Sequence, residues 1–380
     1  SSMPGLGIAG LNSLDVNPQN WNNFNRVFQF KDDFSKIVGS HNLKMGVLLM
    51  RSRKNQDNQP QLNGRFSFSP GHPLHSGNSL ADALLGNFNT YVEASNGREG
   101  WFRFFQGEFY FNDNWRVNQR LTLDLGLRYQ LMQPQYAQLQ NAVIFDPQYF
   151  DPAKAPQVDR ASGQIIAGNY DPVNGLAVGG SAFPDFAAKR IPNADAPEVQ
   201  RLFRGLPKEI TPWEKGAFGP RIGFAYDLTG KQKTVIRGGA GMFYERLEGN
   251  FVFGRINNPP FVQESSIFSA NVENPAGGTQ RVFPSNISSY NSDLKVPRVA
   301  NYSFGVQHKL TADTLVDVAF VGTSGWSMVR TLNANQLALG ALQKNPGVNA
   351  NALRPYLGYA NITQHVNGAN LNYSSLQMQL

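Results

Sequence analysis

The sequence contains no cysteine among its 380 residues. Disulfide staples and thiolate metal sites are therefore excluded, and cysteine usage gives no information about the redox compartment. The sequence also lacks any apolar run near the roughly 18 residues that a membrane-spanning helix needs. Because every backbone amide in hydrocarbon must be paired within the protein, the chain can cross a bilayer only as part of a closed β-barrel.

Charge is also scarce, since charged residues make up 16% of the chain, with a net charge of +7. A basic balance can indicate a nucleic acid or an anionic membrane surface as partner. The basic residues are scattered, however, and Arg128, Arg221 and Arg237 occupy the polar positions of alternating segments. We therefore expect no nucleic-acid partner.

A secretory signal is missing from the first residues, which have no basic segment followed by a continuous apolar one. Residues 1–23 are predicted to be a loop segment. They include the G-x-G-x-x-G pattern at Gly5–Gly10, which binds a dinucleotide only between a strand and a helix. Because neither is predicted around it, we interpret this pattern as a flexible glycine-rich stretch.

The most informative part of the sequence is the stretch from Trp101 to Met132. Over residues 121–131 apolar and polar side chains alternate without interruption, which places them on opposite faces of a strand. Residues 105–111 repeat the pattern, and a turn is predicted at Asn112–Asn114 because Asn and Asp tolerate turn geometry. Strands of about 9 to 11 residues with one apolar and one polar face are typical of outer-membrane barrels.

The same alternation predicts other strands along the chain. Further hairpins are predicted at 24–52 with a connection at 35–41, at 218–245 with a turn at 229–233, and at 301–322 with a turn at 310–313; a last strand begins at Leu371. Long irregular segments separate the hairpins, at 133–217, 246–298 and 326–370. Short turns at one end and long loops at the other are the loop arrangement of an outer-membrane barrel.

Two smaller features receive a structural interpretation. His72 and His75 lie three residues apart and could form half of a metal site, but the prolines and glycine around them favour ordinary loop histidines. The Gly238–Gly241 run has no helix behind it, so it is interpreted as a bend or close backbone approach in a strand and not as a phosphate cradle. We expect no metal site and no cofactor.

Several segments resemble the barrel of TonB-dependent outer-membrane receptors. The resemblance is carried by FYFNDNWRVNQRLTLDLGLRYQ at 109–130, GPRIGFAYDLTGKQKTVIRGGAGMFYE at 219–245 and NYSFGVQHKLTADTLVDVAFVGTSG at 301–325. SLADALLG at 79–86 and NYSSLQ at 372–377 are similar to the Oar-like branch, whose precursors carry a carboxypeptidase-regulatory-like domain. The resemblance covers residues 24–380, and its most specific part is 101–132.

The resemblance implies an all-β fold, an antiparallel transmembrane barrel of 22 strands with long extracellular loops and a plug in the lumen. Residues 24–380 are then expected to supply about twelve of those strands, without the plug and without the C-terminal strands. The implied location is the outer membrane of a Gram-negative cell. The implied partners are outer-membrane lipid, the TonB complex through an N-terminal region that this sequence does not include, and an extracellular ligand of unknown identity.

The function that follows is capture of a scarce ligand at the extracellular loops and its import with energy from TonB. We expect no enzymatic activity, because no catalytic grouping of residues is recognisable. Candidate ligand-binding residues are polar positions expected to face the lumen: Gln106, Glu108, Asp124, Arg128, Arg221, Asp227 and Arg237. Each could instead pair with another lumen residue or with the plug.

Two other functions use the same sequence features. A passive porin or an adhesion barrel would have the same strands without a plug or energy coupling. A soluble β-rich carbohydrate-binding protein could stack sugars on loop aromatics such as Trp213, Trp326, Tyr356 and Tyr359. The soluble alternative requires that the apolar strand faces be covered by protein.

Overall fold

The computed structural model describes residues 3–12, 22–58, 62–95 and 98–380. The strands are β1 Gly5–Ile8, β2 Asn22–Val38, β3 His41–Asn58, β4 Arg65–Phe68, β5 Asn87–Ala94, β6 Arg98–Arg116, β7 Leu121–Met132, β8 Tyr136–Ala137, β9 Ile144–Phe145, β10 Leu176–Ala177, β11 Glu214–Asp227, β12 Thr234–Tyr244, β13 Glu264–Asn271, β14 Thr279–Arg281, β15 Ser285–Tyr290, β16 Arg298–Lys309, β17 Leu315–Asn333 and β18 Tyr359–Gln379.

Helices are short and few in the described parts of the chain. The α-helices are α1 Ser79–Leu85, α2 Asp185–Ala188, α3 Pro197–Gln200, α4 Asn250–Phe253 and α5 Ala341–Lys344, and single 3-10 turns cover Pro147–Tyr149, Pro152–Lys154, Gly254–Asn257, Pro275–Gly277 and Ala350–Leu353. None of the described helices has the length and apolar character that crossing a membrane requires.

The main sheet has 11 strands in the order β15-β18-β17-β16-β12-β11-β7-β6-β3-β2, with β8 added beside β6. Its long neighbouring strands are all antiparallel, and only the short β15 pairs in parallel, with β18. Within the described residues no ladder joins β2 to the opposite edge of the sheet. The chain therefore forms a partial barrel, as predicted.

The first hairpin is confirmed, but its strands are longer than predicted. β2 and β3 pair continuously from Asn22↔Asp57 to Val38↔His41, which leaves only residues 39–40 for the turn. His41, at the end of the predicted connection, instead begins β3; it stacks on Trp115 with ring centroids 5.1 Å apart, and its Nδ1 lies 2.7 Å from Asp113. Gly39, with φ +59°, supplies the left-handed conformation that so tight a turn requires.

The turn predicted at Asn112–Asn114 is wrong. These residues continue β6 and pair with both β3 and β7, as in Lys44↔Asn112 and Asn112↔Gly126. The chain turns at 117–120, where the Asn118 side-chain oxygen accepts hydrogen bonds from the amides of Arg120 and Leu121 at 2.8 and 2.9 Å. Asn118, and neither Asn112 nor Asn114, therefore stabilises the turn of this hairpin.

The predicted alternation of short turns and long segments is confirmed. Short connections at 39–40, 117–120, 228–233 and 310–314 alternate with long ones at 59–97, 133–213, 245–297 and 334–358. The last long segment is shorter than the predicted 326–370 because β17 and β18 keep pairing as far as Asn333↔Thr363. Each long segment follows an even number of long antiparallel strands. All long segments therefore leave the sheet at the same end.

The long segments pack together into an ordered body instead of forming separate loops. One buried cluster takes Phe145 and Leu176 from the first segment, Phe261 from the second, and Ile362 from the start of β18. Phe145 is fully buried and packs edge-on against Tyr356 and Tyr359, at 4.9 and 5.5 Å between ring centroids. We call the folded part of residues 133–213, 245–297 and 334–358 the extracellular body.

Polar contacts also fix the extracellular body. The amide of buried Asn335 donates to the carbonyls of Tyr356, Tyr359 and Ala360 at 2.9 to 3.0 Å. Buried Asn258 donates to the carbonyls of Val143 and Ser288, both at 2.7 Å. Because an unpaired buried polar group is costly, these amides favour one arrangement of segments that are distant in the sequence.

A second, five-stranded sheet of order β1-β4-β5-β13-β14 has its own small core. Phe66, Phe68, Phe88 and Ala270 form this core, and helix α1 contacts it through Ala83. The prediction that residues 1–23 are loop is wrong at Gly5–Ile8, which pairs in parallel with β4, and at Asn22, where β2 begins. Residues 1–2 and 13–21 lie outside the part of the chain that the structure describes. The Asn78 side chain caps the first turn of helix α1, and Gly86 follows its last residue in the left-handed conformation that ends many helices.

Candidate functional site

The two faces of the main sheet differ sharply in chemistry. Cross-strand pairs such as Phe30↔Leu49 and Phe304↔Phe320 bring apolar residues together on one face. Its large side chains are exposed: Phe28, Phe30, Phe34, Met45, Leu49, Phe109, Phe111, Leu127, Phe218, Ile222, Tyr302, Phe304, Val306, Phe320, Leu376 and Met378. We call this surface the apolar face.

No layer of the described protein covers the apolar face. Ile222 is 58% exposed and Leu376 63% exposed, whereas Phe145 in the extracellular body is 0% exposed. A contiguous apolar surface across so many strands far exceeds what soluble monomers leave open to water. The alternative of a soluble carbohydrate-binding protein therefore fails. Of the aromatics expected to stack sugars, Tyr359 is buried in the core of the extracellular body and Tyr356 packs against that core.

The opposite face of the sheet, which we call the lumen face, carries the clefts. All seven predicted residues are on this face by their register, because they alternate with the residues of the apolar face along each strand. Gln106, Glu108, Arg128 and Arg221 line one cleft of about 410 Å³. Asp124 and Arg237 line a second cleft of about 610 Å³ nearer the short turns.

Glu108 is the centre of the polar network in the first cleft. Its carboxylate accepts hydrogen bonds from Gln106 Nε2 at 2.6 Å and from Gln130 Nε2 at 3.1 Å, and it forms an ion pair with Arg128. The Glu108 side chain is 7% exposed and that of Arg128 is 37% exposed. Glu108 is thus a structural residue whose partners are all on the same sheet.

Arg221 differs from Arg128 because no carboxylate among the described residues pairs with it. Its guanidinium lies over the ring of Phe243, 4.7 Å from the centroid. A guanidinium that stacks on an aromatic ring keeps the N–H groups at its edge free to donate to an acceptor in the cleft. Of the four predicted residues that line this cleft, Arg221 is the one most available to a ligand.

Two other predicted residues serve the sheet and its turns. Arg237 forms an ion pair with Asp317, a residue that the sequence did not single out. Asp227 accepts from the amides of Thr229, Gly230 and Gln232 at 3.2, 3.0 and 2.8 Å and so closes the turn of the β11–β12 hairpin. Asp124 lines the second cleft with Asn114 and Gln377.

Sequence reasoning missed Arg246, which follows β12. The Arg246 guanidinium lies 3.4 Å from the centroid of the Phe104 ring and lines the top of the first cleft. Burial lowers the pKa of Arg246, and the nearby Glu245 carboxylate partly opposes that shift. No sequence signal marks it, because it lies beyond the last alternating position of the strand.

The Glu108–Arg128 pair gives a first prediction. We expect Glu108→Gln to lower the free energy of unfolding by about 1–3 kcal/mol, because the guanidinium of Arg128 loses the partner of its charge. The partial exposure of Arg128 keeps this value below that of a fully buried pair. Denaturant titration of the full-length protein in lipid vesicles measures the change.

The matched control for this prediction is Arg221→Gln, on the same face and in the same cleft. It removes only the stacking on Phe243, so we expect a loss within about 1 kcal/mol. Equal losses for the two variants would contradict the role assigned to Glu108.

The histidines and the glycine run singled out in the sequence make structural contacts. Among the described residues no group of three His, Asp or Glu side chains is arranged to hold a metal ion. The ring Nδ1 of buried His72 accepts from the Leu74 amide at 3.0 Å, and His75 pairs with the carboxylate of Asp82. Gly238, in the glycine run, has the Phe224 ring where a side chain would lie, 2.8 Å from an added Cβ.

Similarity to known proteins agrees with this description. The sequence matches the outer membrane beta-barrel domain family over residues 1–380. No curated protein matches it.

Several solved structures are similar at low identity. The outer-membrane transporter YddB from Escherichia coli is 10% identical, with a TM-score of 0.48, and the match covers 94% of this chain and 30% of YddB. The copper transporter OprC is 9% identical, with a TM-score of 0.42 and coverage of 94% and 35%. The siderophore receptor PirA from Acinetobacter baumannii is 11% identical, with a TM-score of 0.39 and coverage of 99% and 37%.

This chain spans about a third of the length of those structures. Its family match, by contrast, extends over the whole sequence and is independent of them. The match agrees with the exposed apolar face, the lumen clefts and the alternation of short turns with long segments between the strands. The chain belongs to the outer membrane beta-barrel domain family and resides in the outer membrane of Gram-negative cells.

Proposed function

We propose that this chain is part of the barrel wall of a TonB-dependent receptor of the Oar-like branch, which captures an extracellular ligand and imports it. The observation that supports this most is the cleft beneath the extracellular body, lined on the lumen face by Arg128, Arg221 and Arg246. A ligand held at the extracellular body would meet these polar groups next. The siderophore receptor PirA and the copper transporter OprC, to which the chain is similar, are named for such roles.

The chemistry of this function is recognition and passage, without bond formation or cleavage. Selectivity comes from the size of the lumen and from the donors and acceptors that line it. The extracellular body, with its packed core, provides a preorganised surface that loses little conformational entropy on binding. TonB supplies the energy through the N-terminal region of the full-length protein.

The experiment compares uptake by cells that express the full-length protein in the presence and absence of TonB. The labelled probes are a ferric siderophore, cobalamin, a maltodextrin and an oligopeptide. We expect at least one to accumulate only when both the receptor and TonB are present. Accumulation without TonB would identify a passive porin, and no receptor-dependent accumulation of any probe would contradict import.

A further inference from the structure

A small cavity lies where β7, β11, β12 and β16 join the extracellular body. Its volume is about 40 Å³. Apolar side chains form most of its wall, from the last residue of β7, from the segment that follows β12 and from the segment that precedes β16: Met132, Leu247, Phe251, Val252, Leu294 and Val296. Because about 10–15 Å³ of such space holds one water, the cavity has room for a small organic group.

Two polar side chains in the cavity wall have atoms without a partner. Nε and Nη1 of Arg246 are buried and make no hydrogen bond to any described residue. Oε1 of Gln135 is also buried and unpaired, and the Gln135 residue is 9% exposed. An unpaired buried polar group is costly, so the Arg246 N–H groups are placed to donate to an acceptor that enters the cavity, and Gln135 Oε1 is placed to accept from a donor.

The charge of Arg246 limits what that occupant is. Glu248 also lines the cavity, but its carboxylate accepts a hydrogen bond from Asn250 Nδ2. Among the described residues no carboxylate forms an ion pair with Arg246, whose Nε and Nη1 are unpaired and whose guanidinium lies over the Phe104 ring. An anion is therefore favoured over a neutral molecule or a cation, since guanidinium–carboxylate hydrogen bonds are the stronger, charge-assisted kind. The apolar wall requires that the rest of the occupant be aliphatic.

We propose that this cavity binds a small aliphatic carboxylate, with its hydrocarbon chain against the apolar wall and its carboxylate accepting hydrogen bonds from Arg246. Water alone fits less well, because it can pair with the polar residues of the lining (Gln133, Gln135, Thr211, Arg246 and Glu248) but gives the apolar majority of the wall no apolar partner. Arg246 also lines the lumen cleft, where Arg221 has no carboxylate partner. A longer anion could therefore extend from the cavity into the lumen.

That the imported ligand is a carboxylate with an aliphatic part rests on the proposed function. That the cavity binds a small carboxylate does not depend on transport. Binding is measured on the purified full-length protein in detergent, and uptake is measured in cells, so failure of one is distinguishable from failure of the other.

The probe is butyrate, followed by isothermal titration calorimetry, with butylamine as the charge-reversed control of similar shape. We expect butyrate to bind and butylamine not to bind. Arg246→Gln should weaken butyrate binding by roughly tenfold or more, because charge-assisted hydrogen bonds are lost. Val296→Phe should weaken it similarly by filling the cavity, while the guanidinium is kept.

Arg204→Gln is the matched control for Arg246→Gln. Arg204 is also a half-buried arginine with an unpaired Nε, and it lies 5.5 Å from the centroid of the Tyr149 ring, but it does not line the cavity. We expect it to bind butyrate as the wild type does. Absence of butyrate binding, equal binding of butylamine, equal affinities of the two arginine variants, or unchanged binding by the Val296→Phe variant would each overturn the proposal.

Discussion

Replacement of Phe304 by Arg is expected to lower the free energy of unfolding from a bilayer by about 2–4 kcal/mol, the cost of a cation on the lipid side of a barrel near the midplane. Phe304 lies midway along β16, and it is 53% exposed on the apolar face. The neighbouring strands give it only apolar or small partners, Phe320 and Gly238. A charge at this position would therefore have neither water nor an ion-pair partner.

The control for this variant is the next residue in the chain. Ser303 is on the lumen face and lines the cleft of about 610 Å³, so an arginine introduced there can remain hydrated. We expect Ser303→Arg to change the free energy of unfolding by no more than about 0.5 kcal/mol. Urea titration of both variants in lipid vesicles measures the difference, and equal effects of the two substitutions would contradict the assignment of the faces.

Replacement of Phe145 by Ala is expected to open the extracellular body while the strands of the main sheet remain folded. Phe145 is fully buried and contacts the rings of Phe150, Tyr356 and Tyr359, which come from two different segments. Truncation of such a ring costs about 3–5 kcal/mol. This core reaches the main sheet at β15 and at the start of β18, through Ile287 and Ile362, and most of the paired length of the sheet lies outside it. The loss should therefore be local.

Limited proteolysis of the full-length protein in outer-membrane vesicles tests this expectation. New cleavage should appear within residues 133–213 and 334–358, and the fragments should stay associated through the strands. Phe186→Ala is the control, because Phe186 is 41% exposed and, among the described residues, its ring stacks on that of Trp101 alone, with centroids 5.9 Å apart. Unchanged protease resistance of the Phe145→Ala variant would show that the long segments do not share one core.

The long strands were predictable because a two-residue period needs no information from distant parts of the chain. Residues 121–131 have one uninterrupted alternation, and the structure pairs them as expected. The turn of that hairpin was misplaced because asparagine and aspartate favour turns locally. Strand pairing on both sides of Asn112 outweighs that local preference.

The extracellular body was not predictable for the opposite reason. Its core joins Phe145 to Ile362, and proline-rich stretches without periodicity contain no signal of which residues meet. Residues 5–8 form a strand only because β4 is beside them. The local sequence predicts loop in both places, and tertiary packing decides the result.

The candidate site was predictable in part. Alternation placed Gln106, Glu108, Arg128 and Arg221 on one face, and the structure puts them in one cleft. Alternation could not show that the Asp227 carboxylate accepts hydrogen bonds from the amides of the β11–β12 turn. Nor could it show that Arg246, which lies beyond the end of β12, reaches the same cleft. Those two results depend on backbone geometry at the ends of strands.

The central claim is that one face of this sheet contacts lipid and the other contacts water, and spin labelling along β16 tests it most directly. The chain has no cysteine, so single cysteines at 301–304, 306 and 307 in the full-length protein carry nitroxides without background from this chain. Positions 302, 304 and 306 should collide with oxygen in the bilayer, and 301, 303 and 307 with a water-soluble nickel complex. Equal exposure of both sets to the nickel complex would contradict the claim.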